Sequence, residues 1–118
     1  MAHYAFLDGN NKVTEVIVGI DETELIEGLD PETWYGNFRG QVCKRTSYNA
    51  KTNGYRGNYA GIGYQYDSDL DVFLVPKPFD SWSLDSNYDW QAPTPQPADG
   101  KRYRWDETSL AWLVLPAL

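Results

Sequence analysis

His3 is the single histidine and Cys43 the single cysteine of the chain. A nucleophile needs a placed base, and a base needs a rigid setting. His3 lies two residues from the start, so no Ser/His/Asp or Cys/His pair has a credible frame, and it reads as an ordinary surface residue. One Cys and one His also fall short of the three or four good ligands that zinc takes. Cys43 sits in QVCKRTSY beside Val42, a setting for a buried structural thiol.

Two further strings imitate ligand sites and fail on spacing. DSDLD, Asp67 to Asp71, places acids as a calcium loop begins, but Val72 stands where glycine is needed and Pro78 where the bidentate glutamate belongs. Gly61 and Gly63 form a G-x-G, yet Tyr66 occupies the third glycine position and no βαβ pattern surrounds it. Both read as turns. The expectation is a protein that is not an enzyme and takes no metal or cofactor.

Aromatic residues are the plentiful resource: nine Tyr, five Trp and four Phe. Trp82, Trp90, Tyr103, Trp105 and Trp112 combine large apolar area with a polar handle, which suits a sugar ring or a partner protein. Strand alternation turns one ring of each pair inward, so most of them serve the core.

Charge is the second resource. Net charge is −7, which opposes general binding to nucleic acid because phosphates are repelled. The distribution is uneven. Residues 36–66 carry Arg39, Lys44, Arg45, Lys51 and Arg56 with no acid, between two acidic blocks. Two readings stand for this local +5. It pairs internally with the flanking acids, or it docks on an acidic partner surface.

The elements that must carry these residues follow from pattern. HYAFLDGNNKVTEVIVG predicts a β-hairpin turning at Asp8-Gly9-Asn10-Asn11. Asp21 with Glu24 fits a capping box and predicts a short helix that Gly28 stops. Asp30-Pro31 predicts a second helix with Trp34 and Phe38 on one side, cut short by Gly36 and Gly40. QVCKRTSY predicts a strand, and NAKTNGYRGNYAGIG a loop with a tight turn at Asn53-Gly54.

From residue 64 onward one phrase recurs: an aromatic, any residue, an apolar residue, Asp, a polar stretch, an aromatic, then Pro. Its aspartates are Asp67, Asp85 and Asp106, its closing rings Phe73, Trp90 and Trp112, and its prolines Pro76, Pro93 and Pro116. Each copy predicts a two-stranded hairpin whose Asp binds turn N–H groups and whose rings pair across the strands. A lone hairpin is marginal in water, so the three are expected to stack or share a sheet. Pro93, Pro95 and Pro97 predict a stiff spacer holding the last hairpin away, on the body or on a neighbouring subunit.

The resulting expectation is a mainly β fold of antiparallel hairpins in a small sheet or sandwich, with one or two short helices in residues 21–40. It is one domain, with a main body over 1–75 and Pro-spaced hairpins over 76–118. MAHYAFLDGNN lacks a basic region followed by a long apolar run, and no run of 18 apolar residues occurs, so synthesis in a cytoplasm without a membrane span is expected.

HYAFLDGNNKVTEVIVG, WYGNFRGQVCKRTSYN, NYAGIGYQYD and DGKRYRWDETSLAW together resemble a family of small proteins encoded by marine tailed phages, particularly those of cyanobacteria. The resemblance covers most of the chain and carries over no catalytic residue. It implies a virion-associated structural or accessory role after synthesis in the host cytoplasm, with other phage structural proteins, or further copies of itself, as partners. Candidate partner-binding residues are Arg39, Lys44, Arg45, Arg56, Trp82, Trp90, Trp105 and Trp112. Two other readings stay open: a glycan-binding module using exposed tryptophans, and a cytoplasmic effector that binds a host protein.

Overall fold

The computed structural model describes residues 2–116. It is mainly strand, as expected, and divides into two compact units, Met1–Pro76 and Lys77–Leu118. No helix among the described residues is long and apolar enough to cross a membrane.

In the first unit, β1 (Ala2–Leu7) and β2 (Val13–Gly19) form the predicted hairpin, and β3 (Val42–Thr46) pairs antiparallel on the other side of β1, giving the order β2-β1-β3. Because β1 is central, its alternate side chains feed two separate cores. Ala5 and Leu7, with Val13, meet Ala60, Tyr66 and Phe73 on one face. Ala2, Tyr4 and Phe6, with Cys43, meet Ile17 and Tyr35 on the other. The first face is covered by the hairpin of β4 (Gln65–Asp67) and β5 (Val72–Leu74), which is stitched to the β1–β2 turn by Val13 N–H to Tyr64 O at 2.8 Å and Tyr66 N–H to Asn11 O at 2.8 Å.

The second face is covered by α1 (Pro31–Arg39). Asp30 caps it by accepting from Glu32 N–H, Pro31 supplies the pre-set first turn, and Gly40 ends it in the left-handed conformation at φ 74°. Gly36 does not end the helix as expected. It lets the helix approach the outer edge of β3, since a Cβ there would lie 2.8 Å from the Gln41 carbonyl oxygen. The helix thereby shields an edge strand that would otherwise offer unpaired backbone.

The helix expected from Asp21 is absent. Asp21 Oδ1 accepts from Thr23 N–H and Thr23 Oγ1, Glu24 N–H bonds back to Asp21 O, and Ile26 bridges Leu29 around Glu27 and Gly28, both at positive φ. The local Asp–Thr bonds outcompete helix propagation, which a segment this short cannot sustain. The second helix is instead α2 (Ala50–Asn53), one turn inside the stretch expected to be loop, ended by Gly54 at φ 73°.

The recurring phrase does form hairpins, but not one sheet. β6 (Ser83–Leu84) pairs with β7 (Trp90–Gln91), and β8 (Tyr103–Asp106) with β9 (Ala111–Val114), each as its own two-stranded sheet, as is β4–β5. Tyr66 opposes Phe73, and Trp105 opposes Trp112, as predicted. In the middle copy Leu84 opposes Trp90, which leaves Trp82 outside its own hairpin.

Each Asp pins its turn. Asp67 Oδ1 accepts from Asp69 and Leu70 N–H, Asp85 Oδ1 from Asn87 and Asp89 N–H, and Asp106 Oδ2 from Ser109 N–H. A fourth turn of this kind escaped the sequence pattern. Asp8 Oδ1 accepts from Asn10 and Lys12 N–H, with Asn11 at φ 62°, matching Asp85 and its Tyr88 at φ 62° bond for bond. DGNNK and DSNYD share little beyond Asp and Asn, so backbone geometry revealed what spelling did not.

Candidate functional site

Burial decides what the four basic candidates can do. Arg56 is 14 % exposed, and its Nη1 donates to Glu32 Oε2 at 2.6 Å and to Arg45 O at 2.9 Å. Its Nε lies 3.0 Å from Asp71 Oδ1, an ion-pair contact without hydrogen-bond alignment. Burial alone would lower the guanidinium's pKa, but the hydrogen bond and charge of Glu32, with Asp71, move it upward on balance. Glu32 also accepts from Arg45 N–H, and Asp71 from the Tyr66 hydroxyl. The network therefore joins α1, β3, the 54–58 loop and the β4–β5 hairpin inside the first unit.

Arg39 ion-pairs with Glu15 and lies over the Phe6 ring at 4.4 Å. Lys44 Nζ lies 5.6 Å from the Tyr66 ring centre, and the Arg45 guanidinium 5.2 Å from that of Tyr55. Much of the basic block thus meets acids and rings of its own unit.

In the second unit Trp82 stands 6.0 Å from both Trp105 and Trp112, which are 5.2 Å apart, and Phe79 adds a ring 5.6 Å from Trp82. Trp105 is only 7 % exposed. Its Nε1 donates to Glu107 Oε1 at 2.8 Å, and the same carboxylate accepts from Ser81 N–H and Oγ. Trp112 Nε1 donates to Thr94 O at 2.9 Å, which fastens the proline-rich segment onto the last hairpin. The spacer expectation is corrected here: Trp82, just before the second hairpin, packs ring to ring on the third, and Thr94 of the spacer is bonded to it, within one unit. Trp90 is half-buried, with Lys77 Nζ 5.6 Å from its ring centre.

Cys43 is buried, and desolvation, with the Glu32 and Asp30 carboxylates adding to it, pushes its thiol up to about 12. That keeps it a neutral thiol and a poor nucleophile at ordinary pH. Asp71 of the DSDLD string faces Arg56 and Tyr66; burial works to raise its carboxyl, and those two partners more than offset it, holding it below the usual range. No cluster of three or more metal-ligating side chains occurs among the described residues.

His3 meets Tyr48 and Tyr59 edge-on, each at 5.5 Å, beside a polar cavity of about 280 Å³ that Arg45 and Asn53 also line.

The surface that sequence reading did not single out is the outer side of α1. Trp34 and Phe38 stack at 5.3 Å with planes 9° apart, and Phe38 is 75 % exposed. Trp34 is set from both sides. Its Nε1 donates to Glu27 Oε2 at 3.2 Å, and its ring meets Tyr35 edge-on at 5.5 Å, while Tyr35 packs on buried Tyr4 at 4.9 Å. Glu27, Leu29, Trp34, Asn37 and Phe38 line a groove of about 360 Å³. The signal was present as apolar rings at 34, 35 and 38, which fall within an arc of about 100°, the width of one buried stripe, so spacing does not tell which ring is left outside.

No family model matches the chain, and no curated protein or solved structure is significantly similar to it.

Proposed function

We propose that this protein is a non-enzymatic structural or accessory subunit of a tailed-phage virion, attached to other virion subunits through an exposed aromatic surface. The observation that carries attachment is the Trp34–Phe38 stack: a half-buried Trp34, held in order by Glu27 and Tyr35, backs a Phe38 ring that is left in solvent instead of being spent on the core. Burying such rings against a partner is favourable by roughly 25 cal/mol per Å² of apolar area, and pre-ordered rings lose little entropy on binding. The phage assignment rests on the resemblance of the four sequence strings.

Attachment by this route differs from the one the sequence pointed to. Arg39 and Arg56 satisfy acids of their own unit, and Trp82, Trp105 and Trp112 satisfy one another. Mass spectrometry of gradient-purified particles of the source phage tests the reading. The polypeptide is expected at a fixed ratio to the known structural proteins, and its consistent absence sinks the proposal.

A further inference from the structure

The groove on α1 has a chemistry that selects its occupant. Leu29, Trp34 and Phe38 give it apolar walls, Asn37 a polar one, and Glu27 lines it with the indole N–H of Trp34 on one carboxylate oxygen. The segment that leads into it, residues 21–32, holds six acids and no Lys or Arg. Three of those acids already have roles inside the fold: Asp21 holds its turn, Asp30 caps α1 and Glu32 holds Arg56. The other three, Glu22, Glu24 and Glu27, are exposed and form no ion pair among the described residues; Glu27 is the one that lines the groove, where it also holds Trp34, while Glu22 lines the cavity beside His3 and Arg45. Arg39, the basic residue next to Phe38, is engaged with Glu15 and Phe6.

An aromatic face attracts cations through its quadrupole, and adjoining carboxylates reinforce that attraction. An acidic partner is repelled here, and a purely apolar one leaves the Glu27 carboxylate without a counter-charge. We propose that this shelf binds a short basic segment of a partner protein, one that pairs an Arg or Lys with an apolar side chain. The apolar residue fills the groove between Leu29 and Phe38, and the cation lies over the exposed face of Phe38 within reach of Glu27. This names the partner chemistry for the attachment proposed above and rests on that reading.

The probes are three hexapeptides of alternating Arg–Leu, Arg–Ser and Glu–Leu, titrated into the ¹⁵N-labelled full chain. The Arg–Leu peptide is expected to move the Trp34 indole N–H, assigned through Trp34→Phe, together with the Phe38 amide. Arg–Ser should bind several-fold more weakly, and Glu–Leu should leave both signals in place. Phe38→Ser and Glu27→Gln should each weaken Arg–Leu binding by about two- to fivefold, the range for an exposed cation–π contact or ion pair. Phe38 is exposed, so an otherwise unchanged spectrum confirms that the variant folds.

Equal binding of the three peptides, or shifts that spare Trp34 and Phe38, overturns the proposal. So does a concentration-dependent shift at Phe38 in protein alone that Phe38→Ser removes, because the occupant is then a second copy. Peptide binding with no polypeptide in virions removes the virion reading and leaves the shelf standing. Polypeptide in virions without peptide binding does the reverse.

Discussion

Replacing Arg56 by Ala tests whether the first unit is tied together by charge. The side chain makes a charged hydrogen bond to Glu32 at 2.6 Å, with 14 % and 22 % of the two side chains exposed. Such a bond contributes about 1.5–3 kcal/mol, and the bond to Arg45 O adds about 1 kcal/mol. Asp71 is 56 % exposed, so solvent screening reduces its contact to about 0.5 kcal/mol or less. Water reaches Glu32 in the variant and solvates part of what is left, so we expect a net loss of about 3 kcal/mol, below the upper range for a fully buried pair. Urea unfolding read at the Trp34 indole resonance isolates this unit, because Trp34 is its only tryptophan. With a urea m-value of about 1–3 kcal/mol/M for a small domain, the midpoint should fall by about 1–3 M. A cycle of Arg56→Ala, Glu32→Gln and the double variant should show coupling of about 1.5 kcal/mol. Arg39→Ala is the contrast: its pair with Glu15 is 38 % and 45 % exposed and should cost under about 1 kcal/mol. If the Arg56 and Glu32 substitutions simply add, the charge network is not what joins these elements.

Three further outcomes follow from the same structure. Leu110 sits at φ 53° and is half exposed, so Leu110→Asn should stabilise the second unit by about 0.5–1 kcal/mol in thermal unfolding; a loss of stability would mean that its side chain packs better than its exposure indicates. Bonds from the Thr23 side chain and backbone hold Asp21 below its ordinary 3.8, backbone N–H bonds hold Asp8 there, and the Ser109 bonds do so for Asp106. The unfolded chain therefore binds protons more tightly, and stability should be complete above about pH 5 and decline as pH falls through 4, an acid limb that Asp8→Asn and Asp106→Asn should each flatten. Burial raises Cys43 from 9.0 to about 12 and Tyr66 from 10.0 to about 12, so the unfolded chain releases protons first as pH climbs. Stability present below pH 9 should then be lost through this window, and Cys43→Ala should shrink that alkaline loss.

The sequence by itself determined the local pieces. Alternation and an Asp-Gly-Asn-Asn turn specified the first hairpin, Asp30-Pro31 specified the start of α1, and the recurring Asp phrase specified hairpins whose turns a carboxylate pins. These are contacts between residues a few positions apart, which the order of side chains encodes directly. The capping box at Asp21 shows the limit: the same Asp oxygen that caps a helix also holds a turn, and only the energy of continuing the helix chooses between them.

Tertiary structure decided everything that depends on which face a side chain meets. Arg56 and Glu32 lie 24 positions apart, yet form an inward pair; Trp82 leaves its own hairpin to join Trp105 and Trp112. Tyr35 takes the inward place against Tyr4, which leaves its helix neighbours Trp34 half-buried and Phe38 exposed. Spacing places residues on a helix face or a strand edge, but burial is a competition among all such faces for the limited interior of their own unit. That competition is resolved only when the chain closes, and its outcome leaves the acidic aromatic shelf in solvent.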